Sequence, residues 1–216
     1  MDLVEKFNWI RHNSGLATLL LDIPKPSNDI RDEILKSVDI AVPHRDADGK
    51  GWRSLTLHGH SSIMTDSDDA YKEKGFTLGT KEWTDIAKHF PLTKQWITKN
   101  IPFEKYGRIR IMIVDPGGYV SPHKDFLHGQ LLGGINIAIT HPKEVVFNIE
   151  NYGNVEWQEG ESRLIDLGSI HQITNNSSKS RIHIIVHSEP IDQWNETIMQ
   201  LAVSYTHLTL PTNREV

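Results

Sequence analysis

The chain has 216 residues, a formal net charge of −5 and a pI of about 6.2, and 38 % of its residues are hydrophobic, which predicts a single globular domain with a buried core. The acidic balance argues against a nucleic-acid-binding protein, and no apolar run reaches the roughly 20 residues that a membrane-spanning helix needs. Because the chain has no cysteine, disulfide scaffolds, thiolate zinc sites and cysteine nucleophiles are excluded, and a cytoplasmic location is expected.

The N-terminal half predicts short helices and strands separated by polar loops. In chain order the pattern predicts a strand over 17–23, a helix over 27–39, a loop over 43–51, a strand over 52–61, an acidic loop over 65–75 and two helical pieces over 81–101. The first helix has a predicted apolar stripe formed by Ile30, Ile34, Leu35 and Val38. The two helical pieces are expected to break before Pro91, since the residue before proline disfavours helical geometry.

After residue 106 the sequence changes to short apolar runs rich in β-branched residues. These runs are expected to be strands over 108–114, 131–140, 144–150, 155–159, 162–167 and 180–187. Six short strands with tight turns predict a sandwich or a barrel, and a helix is expected over 190–202. The whole is one domain, 1–202, mainly β with flanking helices and a β core at about 105–190.

The last residues, 203–216, have no usable pattern. Residues 203–212 match, without a mismatch, the translation of a transposase adapter from sequencing libraries. We therefore expect 203–216 to be a non-native tail on a metagenomic sequence, with the natural C-terminus missing. His207 is accordingly discounted as a ligand.

Two His-x-Asp triplets raise the question of a metal site. The first, at 44–46, lies in a polar loop with no predicted strand before it, so a solvated turn is expected. The second, at 123–125, directly follows a strand and a glycine turn. Residues two apart in an extended segment point to the same face, so His123 and Asp125 can reach one ion.

A third ligand is needed for the two-histidine, one-carboxylate set of non-haem Fe(II) oxygenases. The downstream candidates are His128, His141, His171, His183 and His187. His171 is favoured because it follows a strand that ends in a glycine turn, whereas His141 is expected to be exposed before Pro142. Arg181 opens an apolar strand, and an arginine directed into a β core needs a buried anion. The two later histidines share its face by alternation and are expected to be packed or at the rim.

Together these motifs resemble the aspartyl/asparaginyl β-hydroxylase-like family of 2-oxoglutarate/Fe(II) dioxygenases. PGGYVSPHKDF, followed by EGESRLIDLGSIHQITNNSSKSRIHIIV, is similar to that family's ordered pattern over roughly 105–190. The matching positions are Gly117, His123, Asp125, Glu159, Gly160, Glu161, Asp166, His171, Asn175 or Asn176, and Arg181. The resemblance implies a double-stranded β-helix core, a jelly roll of the cupin-like kind, with iron at one open end.

The resemblance also implies the chemistry of the site. His123, Asp125 and His171 are expected to be the catalytic metal ligands that hold Fe(II), with 2-oxoglutarate and O2 as cosubstrates. Arg181 is expected to bind the 5-carboxylate of 2-oxoglutarate, and Asp166 to orient a turn or a ligand histidine.

One strand departs from the family. Relatives often carry Arg-x-His where this chain has Gly134 and Asn136. Cosubstrate binding is therefore expected to depend more heavily on Arg181, with help from Arg108, Arg110 or Asn136.

The implied reaction is hydroxylation of an amino acid or peptidyl side chain, with release of succinate and CO2. Trp52, Arg53 and His58 are candidates for a wall of the substrate pocket, with Arg53 gripping a substrate carboxylate; the alternative is an ordinary edge strand. Two other functions remain open: a cupin-type metal-binding barrel that is not an oxygenase, and a nucleic-acid-modifying 2-oxoglutarate oxygenase. We expect a small-molecule or peptide substrate and no nucleic-acid or membrane partner, and the sequence does not define an oligomeric state.

Overall fold

The computed structural model of the chain describes residue 15 and residues 17–45, 48–125, 134–165 and 167–189. The predicted helix over 190–202, the predicted non-native tail, His128 and Asp166 lie outside these described residues. Within the described ranges, no helix is long and apolar enough to cross a membrane.

The helices are few and short. The α-helices of the described residues are α1 (Asn28–Leu35), α2 (Asp68–Glu73) and α3 (Pro91–Asn100), with 3₁₀ helices at Val38–Ile40 and Asp85–His89. The strands are β1 (Thr18–Leu21), β2 (Val42–Pro43), β3 (Gly49–Gly59), β4 (Glu82–Trp83), β5 (Tyr106–His123), β6 (Ile135–Thr140), β7 (Val145–Ile149), β8 (Gly153–Asn154), β9 (Ser162–Ile165), β10 (His171–Asn175) and β11 (Arg181–Ser188).

The strands form one antiparallel sheet that folds over itself. Its order is β1-β9-β6-β11-β5-β10-β7-β8, and β3 lies along the other edge of β5. The first part of β5 pairs with β11 and its last part with β10, so β5 belongs to a larger and a smaller half of the sheet. This is the predicted double-stranded β-helix, mainly β with flanking helices.

The two faces of the larger half have different partners. On β5, Ile109, Ile111 and Ile113 are fully buried and belong to the hydrophobic core that also includes residues of α1 and α3. The alternate positions, Arg110 and Met112, face the space between the two halves of the sheet. The alternation therefore sends the apolar residues to the helices and the polar ones to the interior of the β-helix.

Several predicted boundaries are corrected by the structure. The break before Pro91 is confirmed, but the acidic loop 65–75 contains α2, because the Ser67 side chain accepts a hydrogen bond from the Ala70 N–H and caps it. The predicted loop over 43–51 overlaps β2 and the start of β3. The predicted strand over 155–159 is absent, and β8 lies just before it.

The predicted glycine turn in DPGGY is also wrong, because β5 runs through it without ending. Gly117 has a φ of 69°, a left-handed conformation that favours glycine. A Cβ on Gly118 would lie 2.6 Å from the carbonyl oxygen of Lys50 on β3. Gly117 thus provides the left-handed conformation and Gly118 the close approach of β3, and β5 continues to His123.

Candidate metal centre and its cavity

The side chains of His123 and Asp125 meet that of His171, which is distant in sequence, where β5 ends and β10 begins. His123 and His171 are directly paired residues of these antiparallel strands, and their ring centroids are 4.3 Å apart. Asp125 follows two residues after His123, and its backbone N–H donates to the carbonyl of Leu167 at 3.2 Å. One potential ligand atom from each of the three lies within 4.8 Å of the other two.

Hydrogen bonds to the backbone orient both imidazoles in the same way. Nδ1 of His123 lies 2.8 Å from the carbonyl oxygen of Ser121, and Nδ1 of His171 lies 3.1 Å from that of Ser169. A carbonyl oxygen only accepts, so each Nδ1 donates to it, and Nε2 is the ring nitrogen that would coordinate a metal ion. The Nε2 atoms lie 3.4 and 3.9 Å from the two oxygens of Asp125.

The carboxylate is ionised at neutral pH. Burial opposes its ionisation, but the contacts with His123, His171 and Arg45 prevail and lower the pKa of Asp125 to about 2. The hydrogen bond with Asp125 in turn raises the pKa of His123, so a metal ion competes with a proton for that imidazole. Two imidazoles and one carboxylate are the donor set of a non-haem Fe(II) site with open coordination positions.

The three side chains open onto a cavity between the two halves of the sheet. The larger half contributes Arg110, Asn136 and Arg181, and the smaller half contributes Phe147 together with the two histidines. The structure therefore places Arg110, Asn136 and Arg181 in the same cavity as the candidate metal ligands. Arg108, the fourth residue expected to help bind the cosubstrate, is not part of this lining and donates to the carbonyl of Asp66 at 2.7 Å.

Arg181 is almost completely buried in this cavity, with 2 % of its surface exposed. Its Nη2 lies 3.0 Å from Nδ1 of His183, and its Nε has no hydrogen-bond partner in the described part of the chain. Burial lowers the pKa of Arg181 to about 9, which leaves it charged at neutral pH. A buried guanidinium that has no carboxylate partner among the described residues is costly unless an anion meets it.

A buried histidine pair supports Arg181. Nε2 of His183 lies 2.9 Å from Nδ1 of His141, and Nδ1 of His183 is also 2.6 Å from Oδ1 of Asn136. Burial lowers the pKa of His141 to about 3 and that of His183 well below its usual value, so both rings are neutral. The prediction of an exposed His141 is wrong, because the rings of Trp157 and His183 pack against it.

The prediction for the first His-x-Asp triplet, at 44–46, also differs from the structure. His44 is 2 % exposed, its Nδ1 lies 2.9 Å from Oγ of Ser54, and its ring centroid is 4.4 Å from that of Trp52. The predicted solvated turn is therefore wrong at this residue. The reason is that β2, which the sequence did not reveal, pairs with β3 and carries His44 onto the cavity wall.

The three residues predicted to form a wall of the substrate pocket do not lie together in the structure. Trp52 lines the cavity, with its ring centroid 6.0 Å from that of His123. Arg53 points to the other face of β3, where Nε and Nη2 donate to Asp115 at 2.8 and 2.7 Å, and Nη1 donates to the carbonyl of Val38 at 2.9 Å. The expectation that Arg53 grips a substrate carboxylate is therefore wrong, since its guanidinium is already fully paired.

His58 lies away from the cavity as well. Its Nδ1 lies 2.7 Å from the carbonyl oxygen of Gly107, and its ring packs against Trp83 and Tyr106. His58 has the same parity along β3 as Trp52, but it is six positions further along and next to another part of the sheet. The prediction that it forms part of the substrate wall is wrong.

Asn175 has a structural role that its place in the motif did not reveal. It is fully buried, and its Nδ2 lies 2.8 to 3.1 Å from the carbonyl oxygens of Val114, Asp115 and Lys179. These contacts tie the turn between β10 and β11 to the middle of β5. Arg181 begins directly after that turn, so Asn175 fixes the point from which the arginine enters the cavity.

The comparisons with known proteins agree with this geometry. The chain matches the sequence profile described as aspartyl/asparaginyl beta-hydroxylase over residues 25–190. No curated protein matches it in sequence.

Similar solved structures share little sequence with the chain. A Pseudomonas putida prolyl-4-hydroxylase is 10 % identical with a TM-score of 0.46, over 86 % of this chain and 98 % of that one. A viral collagen prolyl hydroxylase from Paramecium Bursaria Chlorella virus-1 is 11 % identical with a TM-score of 0.42, over 81 % and 98 %. The α-ketoglutarate-dependent epimerase SnoN from nogalamycin biosynthesis is 9 % identical with a TM-score of 0.46, over 85 % and 80 %. At these values the likeness assigns no residue and no substrate to this chain.

The family profile covers most of the chain, including every strand from β2 to β11. The chain therefore belongs to the aspartyl/asparaginyl beta-hydroxylase family and is a 2-oxoglutarate-dependent hydroxylase that uses Fe(II) and O2.

Proposed function

We propose that this protein hydroxylates a carbon of an amino acid or a peptidyl side chain, and that it converts 2-oxoglutarate to succinate and CO2 in the same reaction. One observation carries the proposal: His123, Asp125 and His171 lie within 4.8 Å of one another in a cavity that also contains the buried Arg181. A metal-binding barrel that is not an oxygenase needs no such arginine, so the buried guanidinium disfavours that alternative.

The donor set fits Fe(II), and in this proposal His123, Asp125 and His171 are its ligands. Both histidines present Nε2, because their Nδ1 atoms are already bonded to backbone carbonyls. The bound iron, with 2-oxoglutarate and O2, supplies the oxidising chemistry, while the protein supplies orientation and a closed environment.

Arg181 is proposed to bind the 5-carboxylate of 2-oxoglutarate. A bound carboxylate would offset the free-energy cost of burying the positive charge of Arg181. The planar guanidinium can form a bidentate contact with it. Arginine has no acceptor atom, so Nδ1 of neutral His183 accepts a hydrogen bond from Nη2 of Arg181. The side-chain amide of Asn136 is then turned so that its NH2 group, and not its oxygen, faces the same nitrogen. Asn136, on the neighbouring strand, is proposed to complete the same polar wall.

Trp52 and Phe147 are proposed to restrict water around the metal ligands. Trp52 stands next to His123 on one side, and the ring of Phe147 lies 6.2 Å from that of His171 on the other. Of the three residues predicted for the substrate wall, Trp52 is the one retained.

The experiment is an assay of the purified protein with Fe(II), ascorbate and 2-oxoglutarate against a panel of free amino acids and short peptides. We expect iron-dependent succinate release, and a product heavier than its substrate by one oxygen atom. His171→Ala and Asp125→Ala should abolish both, whereas His89→Ala, at an exposed position, should change neither. Succinate release that is equal with and without iron, or absent from the wild type across the whole panel, would refute the proposal.

A further inference from the structure

The cavity contains a second arginine whose buried nitrogen atoms are not fully paired within the described residues. Arg110 is 8 % exposed, and its Nε and Nη1 atoms are buried without a hydrogen-bond partner among the described residues. A buried guanidinium in this state is costly unless an anion meets it. The side chain lines the same cavity as the three candidate metal ligands.

Arg110 and Arg181 lie in different rows of the sheet. Arg110 is paired with Ile185 on β11, which is paired in turn with Asn136 on β6. Arg181 is four residues before Ile185, which corresponds to about 13 Å along the strand. The two arginines therefore enter the cavity from different main-chain positions.

Both arginines share this cavity with the candidate metal ligands. The guanidinium carbon of Arg181 lies 5.9 Å from the ring of Phe147, whose ring is 6.2 Å from that of His171. A group bound to Arg110 therefore lies in the cavity onto which His123, Asp125 and His171 open.

One positively charged side chain of the cavity lining has no negative group assigned to it. The charged lining residues of the described chain are Arg45, Arg110, Arg181 and Asp125. Arg45 lies 3.8 Å from Asp66, Asp125 is committed to the metal ion, and the 5-carboxylate of 2-oxoglutarate is assigned to Arg181. Arg110 remains without a counter-ion after metal and cosubstrate are in place.

We propose that Arg110 is the specificity-determining residue for the substrate that becomes hydroxylated, and that it binds a carboxylate of that substrate beside the metal. This inference rests on the proposed hydroxylase function and adds the substrate class: a free amino acid held by its α-carboxylate, or a peptide held by an acidic group. His44 and Trp52 form the adjoining wall, and the neutral ring of His44 adds no competing charge.

The test compares Arg110→Met and Arg110→Lys with Arg181→Met. Arg108→Met is the matched control, because Arg108 lies two residues earlier on the same strand but donates to the backbone carbonyl of Asp66 at 2.7 Å. Each protein is loaded with Mn(II) and N-oxalylglycine, the unreactive mimic of 2-oxoglutarate. It is then titrated calorimetrically with free L-amino acids, their α-amides, and acidic peptides with their amidated counterparts.

We expect at least one carboxylate to bind the loaded wild type, and its amide to bind about 100-fold more weakly. Arg110→Met should weaken binding of the carboxylate by a similar factor, while the affinities for its amide and for N-oxalylglycine stay unchanged. Arg110→Lys should lose less affinity for the carboxylate. Arg181→Met should show the reverse, weakening N-oxalylglycine. The free amino acids and the peptides separate the two sources of the carboxylate.

Three results would overturn the inference. Arg110→Met could weaken N-oxalylglycine as strongly as Arg181→Met does, which would assign Arg110 to the cosubstrate. No carboxylate could bind the loaded wild type, or all could bind Arg110→Met equally well. Failure of the hydroxylase function itself is a separate outcome, seen as a lack of iron-dependent succinate release from the wild type.

A measurement without any ligand gives a further check. Because Arg110 is an unpaired buried charge, the ligand-free Arg110→Met protein should unfold at the same temperature as the wild type or higher. A clear fall in the unfolding temperature would show that Arg110 stabilises the fold, and the inference would then be withdrawn.

Discussion

At the scale of single residues, the site depends on hydrogen bonds that fix the direction of each polar group. The metal-binding imidazoles are fixed by backbone carbonyls, and Arg181 is fixed by His183. Because each fixing contact is buried or half-buried, solvent does not replace it when it is lost. The orientation of the site can therefore be changed without touching a metal ligand.

His183 offers a test of this at one residue. His183→Leu removes the acceptor that faces Arg181, so we expect the KM for 2-oxoglutarate to rise by about 10-fold while Mn(II) affinity is unchanged. His183→Asn, which keeps an acceptor, should lose less. The measurement is steady-state succinate formation at varied 2-oxoglutarate, with metal binding measured separately. An effect on Mn(II) affinity as large as that on KM would contradict a positioning role.

At the scale of secondary structure elements, β5 organises the molecule because it belongs to both halves of the sheet. Its first part carries Arg110 and its last residue is His123. The turn between β10 and β11 is fastened to its middle by Asn175, so the strand that begins with Arg181 is set relative to the metal ligands. The relative positions of metal and cosubstrate sites thus follow from one strand and one buried amide.

Asn175→Ala tests that connection. The substitution removes the amide group that the carbonyl oxygens of Val114, Asp115 and Lys179 share, and we expect a loss of about 2 to 3 kcal/mol in the free energy of unfolding. Asn176→Ala is the matched control, since Asn176 is the adjacent exposed asparagine and should change stability little. Urea unfolding of the metal-free proteins provides the comparison. Equal stabilities of the two variants would show that the amide does not fasten the turn.

At the scale of the whole molecule, the stability of the fold depends on histidines that are buried in the neutral form. Burial lowers the pKa of His44 to about 2 and that of His141 to about 3, against an ordinary value of 6.5 in the unfolded chain. Between these values the unfolded chain binds protons that the folded chain does not. Stability is therefore complete above pH 6.5 and falls as the pH decreases from 6.5 towards 3.

His141→Asn should reduce this pH dependence. One such histidine contributes about 1.4 kcal/mol of lost stability per pH unit within that window, and the variant should lose this part of the slope whatever its stability at pH 7. The measurement is urea unfolding at pH 7, 6 and 5 in the presence of a chelator, with His89→Asn, at an exposed position, as the control. A slope identical to that of the wild type would contradict a neutral, buried His141.

The sequence predicted the whole fold better than the surroundings of the site. Apolar alternation predicted a β sandwich or barrel, and the family resemblance implied the double-stranded β-helix. The strand-ending motifs singled out His123, Asp125, His171 and Arg181, because strand parity is a local property. His44 was missed because β2 has two residues, too few for a periodic signal. Arg53 was misassigned because its partner Asp115 lies 62 positions away, and such pairings are set by strand register rather than by local pattern.

The most direct test of the account is calorimetric titration of the metal-free protein with Mn(II), in the wild type, His171→Ala and His89→Ala. We expect one Mn(II) per chain for the wild type and for His89→Ala, and at least about 100-fold weaker binding for His171→Ala. Binding of Mn(II) to His171→Ala with the affinity of the wild type would contradict it, because the two histidines and the carboxylate would then not form the metal site.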